Sequence, residues 1–291
     1  MTIVVTGATG NIGHVITQKL VDAGAKVAVI ARHPEKLSAD LRKKVDIRQG
    51  NLNDAAFVLN ATRNADTLFW LTPPDFTVSD PSVYYHTLGE IAAAAIRENG
   101  IRRVVFISSV GAQSPKAGQI TGLGIQEKLI GAVAPNLYIL RCGFFMENFL
   151  MQLDSIRDQG HVYSVARPEV EIPMIATKDI GDRAAQLILD TTWTGQHTLG
   201  LHGPADLTYP QAAEIVGNSI GKPVHYVTIT EEQAADSVRA QGASDAVARA
   251  YGELAACLNL PGIKAEPRTP ETTTPTTLEE WADAVLKPMF A

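Results

Sequence analysis

The chain has 291 residues, 45% of them hydrophobic, with 25 basic against 31 acidic side chains and a formal charge of −6. That length and apolar content suit one large α/β unit with a smaller appended lobe. The basic residues are scattered, and the longest cluster, Arg42-Lys43-Lys44, reads as a solvated helix end, so a nucleic-acid partner is not expected.

Two cysteines, Cys142 and Cys257, lie far apart with no CxxC pair. They provide neither a disulfide framework nor a zinc spacing, and a reducing, cytoplasmic setting is expected. The opening MTIVVTGATG lacks a basic n-region and reaches turn residues early, so neither a signal peptide nor a membrane segment is expected. The histidines form no HxxxH or HxH set, so no metal site is expected either.

In chain order, short runs rich in Val, Ile and Leu predict strands over 3–6, 27–31, 45–48, 67–71, 103–108 and 137–141. Stretches of helical periodicity separate them at 12–23, 54–62, 82–98 and 125–133. The alternation predicts a Rossmann-like, doubly wound parallel sheet. From about Gly160 the alternation loosens and Pro, Gly and Thr become frequent, as in GLHGPADLTYP and EPRTPETTTPTTLEEW. A smaller mixed lobe is expected there, with helices near 178–189, 209–220, 231–240, 244–257 and 278–285. The expected division is a nucleotide-binding domain over 1–155 and, over 156–291, a substrate lobe with elements returning to the first domain.

The first strand runs straight into GATGNIG, with glycines at 7, 10 and 13 ahead of a helix. Gly7 permits a tight turn, Gly10 lets the backbone approach a pyrophosphate, and Gly13 lets the helix pack against the sheet. Free N–H groups of Thr9, Gly10, Asn11, Ile12 and Gly13 then face the phosphates of a dinucleotide. The second strand ends in ARHPEKL, placing Arg32 at its tip with His33 and Lys36 nearby. A carboxylate there would suit the ribose of NAD, whereas a guanidinium suits a 2′-phosphate, so NADP(H) is the expected cofactor. After the third strand, Asn51 and Leu52 fall beside the adenine by order of elements.

Ligands of such sheets sit at the carboxyl edge, which nominates the later strand ends. Leu71, Thr72 and Pro73 follow the fourth strand, and Ser108 and Ser109 follow the fifth. Ser109 either donates to a substrate carbonyl or caps a loop. Phe144 and Phe145, after the sixth strand, either flank the nicotinamide and a flat acceptor or belong to the core. Tyr84, Tyr85 and His86 are the nearest other donors by element order.

The stretch EKLIGAVAPNLYILRCGFFMEN, Glu127 to Asn148, resembles the NmrA-like family, atypical members of the short-chain dehydrogenase/reductase superfamily, with Cys142 where the family usually has proline. VVFISSVGA (104–112), IATKDIGDRAAQLI (175–188), GPADLTYPQAAEIVGNSIGKPVHYV (203–227) and PTTLEEWADAV (275–285) extend the resemblance over nearly the whole chain. It implies an NADP(H)-binding Rossmann-like domain, a small lobe over the nicotinamide end, and a monomer or homodimer. Family members include quinone and azo-type reductases, isoflavone-reductase relatives and redox-sensing regulators.

Conventional members of the superfamily use a tyrosine as acid or base and a lysine four residues later. Anchored on Glu127, those positions hold Gln119 and Leu123, and neither Lys116 nor Lys128 restores the pair. Alcohol oxidation and sugar epimerisation need a positioned base and are disfavoured. Hydride transfer to an already electrophilic, quinone-like or aromatic acceptor demands less of the protein. Two readings follow, a reductase of such acceptors with Ser109 and Phe144 orienting them, and a non-catalytic NADP(H) sensor.

Overall fold

The computed structural model describes residues 1–260, 263 and 266–290. Its strands are β1 (Thr2–Thr6), β2 (Lys26–Ala31), β3 (Asp46–Gln49), β4 (Thr67–Trp70), β5 (Arg103–Ser109), β6 (Leu137–Cys142), β7 (Phe144–Phe145), β8 (His161–Ser164), β9 (Ile172–Ile175), β10 (Gln196–Leu201), β11 (Asp206–Leu207) and β12 (His225–Thr228). The helices are α1 (Asn11–Asp22), α2 (Ala39–Lys44), α3 (Ala55–Ala61), α4 (Pro81–Asn99), α5 (Gln119–Gly131), α6 (Leu153–Gln159), α7 (Thr177–Leu189), α8 (Tyr209–Ile220), α9 (Glu231–Arg239), α10 (Asp245–Cys257) and α11 (Leu278–Trp281). All six expected strands form, with every end within one residue of the expectation.

Among the described residues, one seven-stranded sheet has the order β10-β6-β5-β4-β1-β2-β3. Every pairing in it is parallel. Both faces are covered, which explains the unbroken apolar runs. Ile3 and Val5 of β1 pack with Ile12 and Ile16 of α1 and Ile180 and Ile188 of α7. Val4, facing the other way, joins Leu88 and Ile96 of α4 and Ile130 of α5. Each such fully buried aliphatic side chain contributes about 1.5–3 kcal/mol.

The strand order reverses on either side of β1, which opens a crevice at the carboxyl edge where ligands of such sheets lie. Residues beyond 155 complete this half of the molecule: α7 lies against α1, with Gly181 in close approach to Val15, and β10 pairs with β6. The lobe has its own core, including Met146, Phe149, Ile156, Met174, Tyr209, Val216 and Trp281. Two small sheets, β11-β9-β7 and β12-β8, edge it. The pair α9 and α10 is tied to the segment after β4, where Ser244 donates through its N–H to Phe76 O at 2.8 Å and through Oγ to Val78 O at 2.6 Å.

Two helices differ from expectation. Helix α5 starts at Gln119 rather than near residue 125, because Gly122 and Gly124 break the apolar pattern but serve close packing. A Cβ on Gly122 would stand 2.5 Å from the Tyr85 side chain, and one on Gly124 would stand 2.0 Å from the Ala112 carbonyl oxygen. The helix expected over 278–285 is α-helical only to Trp281 and continues as a π turn over Ala282–Leu286.

Candidate functional site

The turn from β1 into α1 shows three glycines in three different environments. Gly7 adopts φ +69°, a conformation that side chains disfavour, and its carbonyl accepts the Gly10 N–H at 3.0 Å. A Cβ on Gly13 would collide with the Gly7 carbonyl oxygen at 2.2 Å. At Gly10, by contrast, an added Cβ would meet only Gly7 O, at 3.5 Å, so this face of the turn is open. Gly10 is the N-cap of α1, with no side-chain cap and no acid in the first turn. Thr9, Gly10 and Asn11 are exposed while Ile12 and Gly13 are buried. An uncapped helix start behind an open glycine is a cradle for an anion, and its fit to a dinucleotide pyrophosphate rests on that geometry.

Thr6 holds the next loop beside this turn. Its hydroxyl donates to Leu71 O at 3.1 Å and accepts the Leu71 N–H at 2.8 Å. Leu71 in turn covers Gly7, where an added Cβ would stand 3.1 Å from Leu71 Cδ2. Thr72 is buried, donating to Gln126 Oε1 at 2.7 Å, while Gln126 donates to Tyr85 O at 2.7 Å. The Pro73 carbonyl accepts the Tyr84 hydroxyl at 2.8 Å.

Arg32 is exposed at the tip of β2 and forms no ion pair with any described residue. Its charge is felt by the loop after β4. Asp75 is held below the usual carboxylate range, first by the hydroxyl and N–H of Thr77 and to a smaller extent by Arg32. Burial pushes the Tyr84 phenol up to about 12, with the Asp75 charge adding and the Arg32 charge opposing. Lys36 is exposed in the turn Pro34–Lys36. Asn51 is also exposed, with its Oδ1 accepting the Asn53 N–H at 3.2 Å, and Leu52 is buried among the α4-side core. The sequence pattern singled out neither Asp75 nor Gln126, because each acts through a partner on another element.

The later strand ends divide between a buried polar network and partly exposed positions. Ser108 is buried and donates to Glu127 at 2.5 Å. Glu127 also receives Arg141 through Nε at 3.0 Å and a second guanidinium nitrogen at 2.6 Å, and Arg141 reaches Glu266 at 2.6 Å. These contacts hold the Arg141 guanidinium well above its ordinary range, the Glu127 hydrogen bonds contributing most. Ser109 is half-buried and donates to Val110 O at 3.0 Å. Phe144 packs edge-on to Phe149 and Tyr209 in the lobe, whereas Phe145 packs against the α1-side core. Cys142 is buried at the end of β6, and burial pushes its thiol far up.

Gln119 and Leu123 stand one turn apart on α5, and Leu123 is packed against the α4-side core. Tyr85 is buried and His86 exposed. Among the described residues, no group of three or more His, Cys, Asp or Glu could hold a metal ion. No helix among them is long and apolar enough to cross a membrane. A groove of about 850 Å³ between α8 and β12, including Glu214, Lys222 and Tyr226, contains none of the residues above.

The model of the NmrA-like family matches residues 1–282. The chain belongs to this family. An NAD(P)H azoreductase of Xenophilus azovorans is 28% identical over 253 residues, covering 87% of this chain and 85% of its own. Quinone oxidoreductase 2 of Escherichia coli is 24% identical over 248 residues, 84% of each chain. Among solved structures, a nucleoside-diphosphate-sugar epimerase from Staphylococcus aureus superposes with a TM-score of 0.82 at 19% identity, covering 97% of this chain and 100% of that one. An NADPH-dependent quinone oxidoreductase complexed with NADPH, from Escherichia coli, superposes with a TM-score of 0.77 at 22% identity, covering 98% and 99%. At these identities the two superpositions speak for the fold.

Proposed function

We propose that this chain is an NADPH-dependent reductase that passes hydride to a quinone or another conjugated aromatic acceptor without a tyrosine–lysine pair. The observation that carries the reading is the open face at Gly10 beside the uncapped, acid-free start of α1, with Arg32 next to it and no carboxylate paired to it among the described residues. The azoreductase and quinone oxidoreductase names of its relatives support the same chemistry.

In this reading the backbone from Gly7 to Gly13 holds the pyrophosphate, Arg32 and Lys36 hold the 2′-phosphate, and Asn51 and Leu52 border the adenine. Leu71, Thr72 and Pro73 line the path toward the nicotinamide. When bound, the reduced nicotinamide supplies a hydride, so that the acceptor gains two electrons with it and one proton from water while the cofactor leaves oxidised. Ser109 and Phe144 orient the acceptor, and the lobe around Phe149 and Tyr209 shapes its pocket. Ser108 and Phe145 act one layer back, Ser108 by fixing Glu127 and Phe145 by packing. Because a quinone is already electrophilic, positioning supplies most of the acceleration and no strong base is needed.

Single-turnover oxidation of protein-bound NADPH by a panel of quinones and azo dyes tests the proposal. Oxidation well above the rate without protein is expected. Tight NADPH binding with no turnover across the panel would replace the reductase with a cofactor sensor.

A further inference from the structure

Helix α5 joins two neighbouring parallel strands, β5 and β6, so it runs antiparallel to them and its N-terminus projects past their carboxyl ends. Gln126 marks where that edge lies, since it bonds Thr72, just beyond β4. Gln119 precedes Gln126 by two helical turns on the same stripe, and therefore stands roughly 10 Å farther along the helix, beyond that edge. The other side of this space is closed by α10, against which the start of α5 is wedged: a Cβ on Gly118 would stand 1.9 Å from the Ala250 carbonyl oxygen.

In this position the Gln119 amide nitrogen Nε2 is buried and has no hydrogen-bond partner among the described residues. A buried N–H without an acceptor is costly and uncommon, and a ligand that brings the acceptor would satisfy it. The neighbouring polar side chains do not fill the vacancy. Thr121 accepts from Ala117 N and donates to Ser114 O, and Ser109 donates to Val110 O. Gln126 is engaged at both ends of its amide, accepting from Thr72 and donating to Tyr85 O.

We infer that Gln119 is a specificity-determining residue whose side-chain amide donates a hydrogen bond to a carbonyl oxygen of the acceptor. The inference rests on the reductase reading and deepens it, by giving the site a preference for acceptors that carry a hydrogen-bond-accepting oxygen. The amide donates without transferring its proton. As hydride adds, negative charge grows on the acceptor oxygen and the bond strengthens, after which that oxygen takes its proton from water.

The test compares wild type with Gln119→Leu and with Gln119→Glu, which keeps the shape but removes the amide donor. Affinity for a quinone is measured by tryptophan quenching on protein saturated with NADP⁺, where no hydride is available, and kcat and KM are measured with NADPH. Both variants are expected to lose roughly tenfold in quinone affinity and in kcat/KM, with NADPH affinity and thermal midpoint unchanged. Reduction of a cationic triarylmethane dye, which has no carbonyl, is expected to persist. Should Gln119→Leu fail to fold, Gln119→Glu gives the same reading. Quinone affinity equal to wild type in either folded variant overturns the inference, as does a parallel loss for quinone, dye and NADPH, which would mark a structural role. A wild-type protein that binds NADPH yet reduces no quinone, azo dye or triarylmethane dye defeats the reductase reading itself, whereas one that reduces the dyes but neither binds nor reduces any quinone overturns only the inference about Gln119.

Discussion

Gly13 and Gly7 are in backbone contact so close that a methyl group on Gly13 would stand 2.2 Å from the Gly7 carbonyl oxygen, whereas one on Gly10 between them would meet only that oxygen, at 3.5 Å. The same turn therefore separates a glycine required by packing from one with room on its outer face. Gly13→Ala should push α1 away from the turn, lowering stability by about 1–3 kcal/mol together with NADPH affinity. Gly10→Ala should leave the thermal midpoint near wild type and weaken NADPH binding alone. Calorimetric melting and fluorescence titration of both variants separate the two effects, and equal behaviour would remove the distinction.

Arg32 is exposed and unpaired among the described residues, so its removal should cost the fold little. A charge-assisted hydrogen bond to a 2′-phosphate is worth about 1.5–3 kcal/mol, which corresponds to roughly 10- to 100-fold in affinity. Arg32→Ala should raise the dissociation constant for NADPH by that factor and leave NADH nearly unchanged. Retention of the NADPH preference would place the phosphate elsewhere.

The Glu127–Arg141 pair is largely withdrawn from solvent, with side chains 9% and 16% exposed. Breaking such a pair from one side leaves an uncompensated buried charge, a loss of about 3–5 kcal/mol. Arg141→Leu should show a loss of that size in urea unfolding, because it orphans both Glu127 and Glu266. The paired change Arg141→Leu with Glu127→Leu should recover part of it.

Asp66 joins the edges of β1 and β5, accepting the Thr2 N–H at 2.7 Å and Arg102 at 2.5 Å. Its carboxyl is held below the usual range, chiefly by the Thr2 hydrogen bond and with help from Arg102. A depressed folded value means that the stabilisation is present above the unfolded carboxylate pKa of about 3.9 and disappears as pH falls through the folded value. The urea midpoint should therefore drop on acidification below about pH 4. Asp66→Asn should flatten that part of the profile, and an unchanged acid limb would assign it to other groups.

Much of the nucleotide half was legible from local pattern. The apolar runs around Val4, Val29 and Val105 are continuous because both faces of a parallel sheet are buried, and the glycine spacing at 7, 10 and 13 expresses three backbone requirements within one turn. The start of α5 was not legible, since Gly122 and Gly124 weaken the helical signal for the sake of close contacts with Tyr85 and Ala112. The strands β7 and β11, of two residues each, are too short for a period to show.

The sequence by itself determined the alternation of strands and helices, the glycine turn and the cation at the tip of β2, because each depends on residues adjacent in the chain. Tertiary structure alone decided that Ser108 belongs to a buried network with Glu127 and Arg141, and that Glu266, 125 residues after Arg141, closes it. It alone also left the Gln119 amide nitrogen without an acceptor among the described residues. The physical reason is that a hydrogen-bond partner is chosen by proximity in space, and that proximity exists only once the crossovers have brought distant segments together.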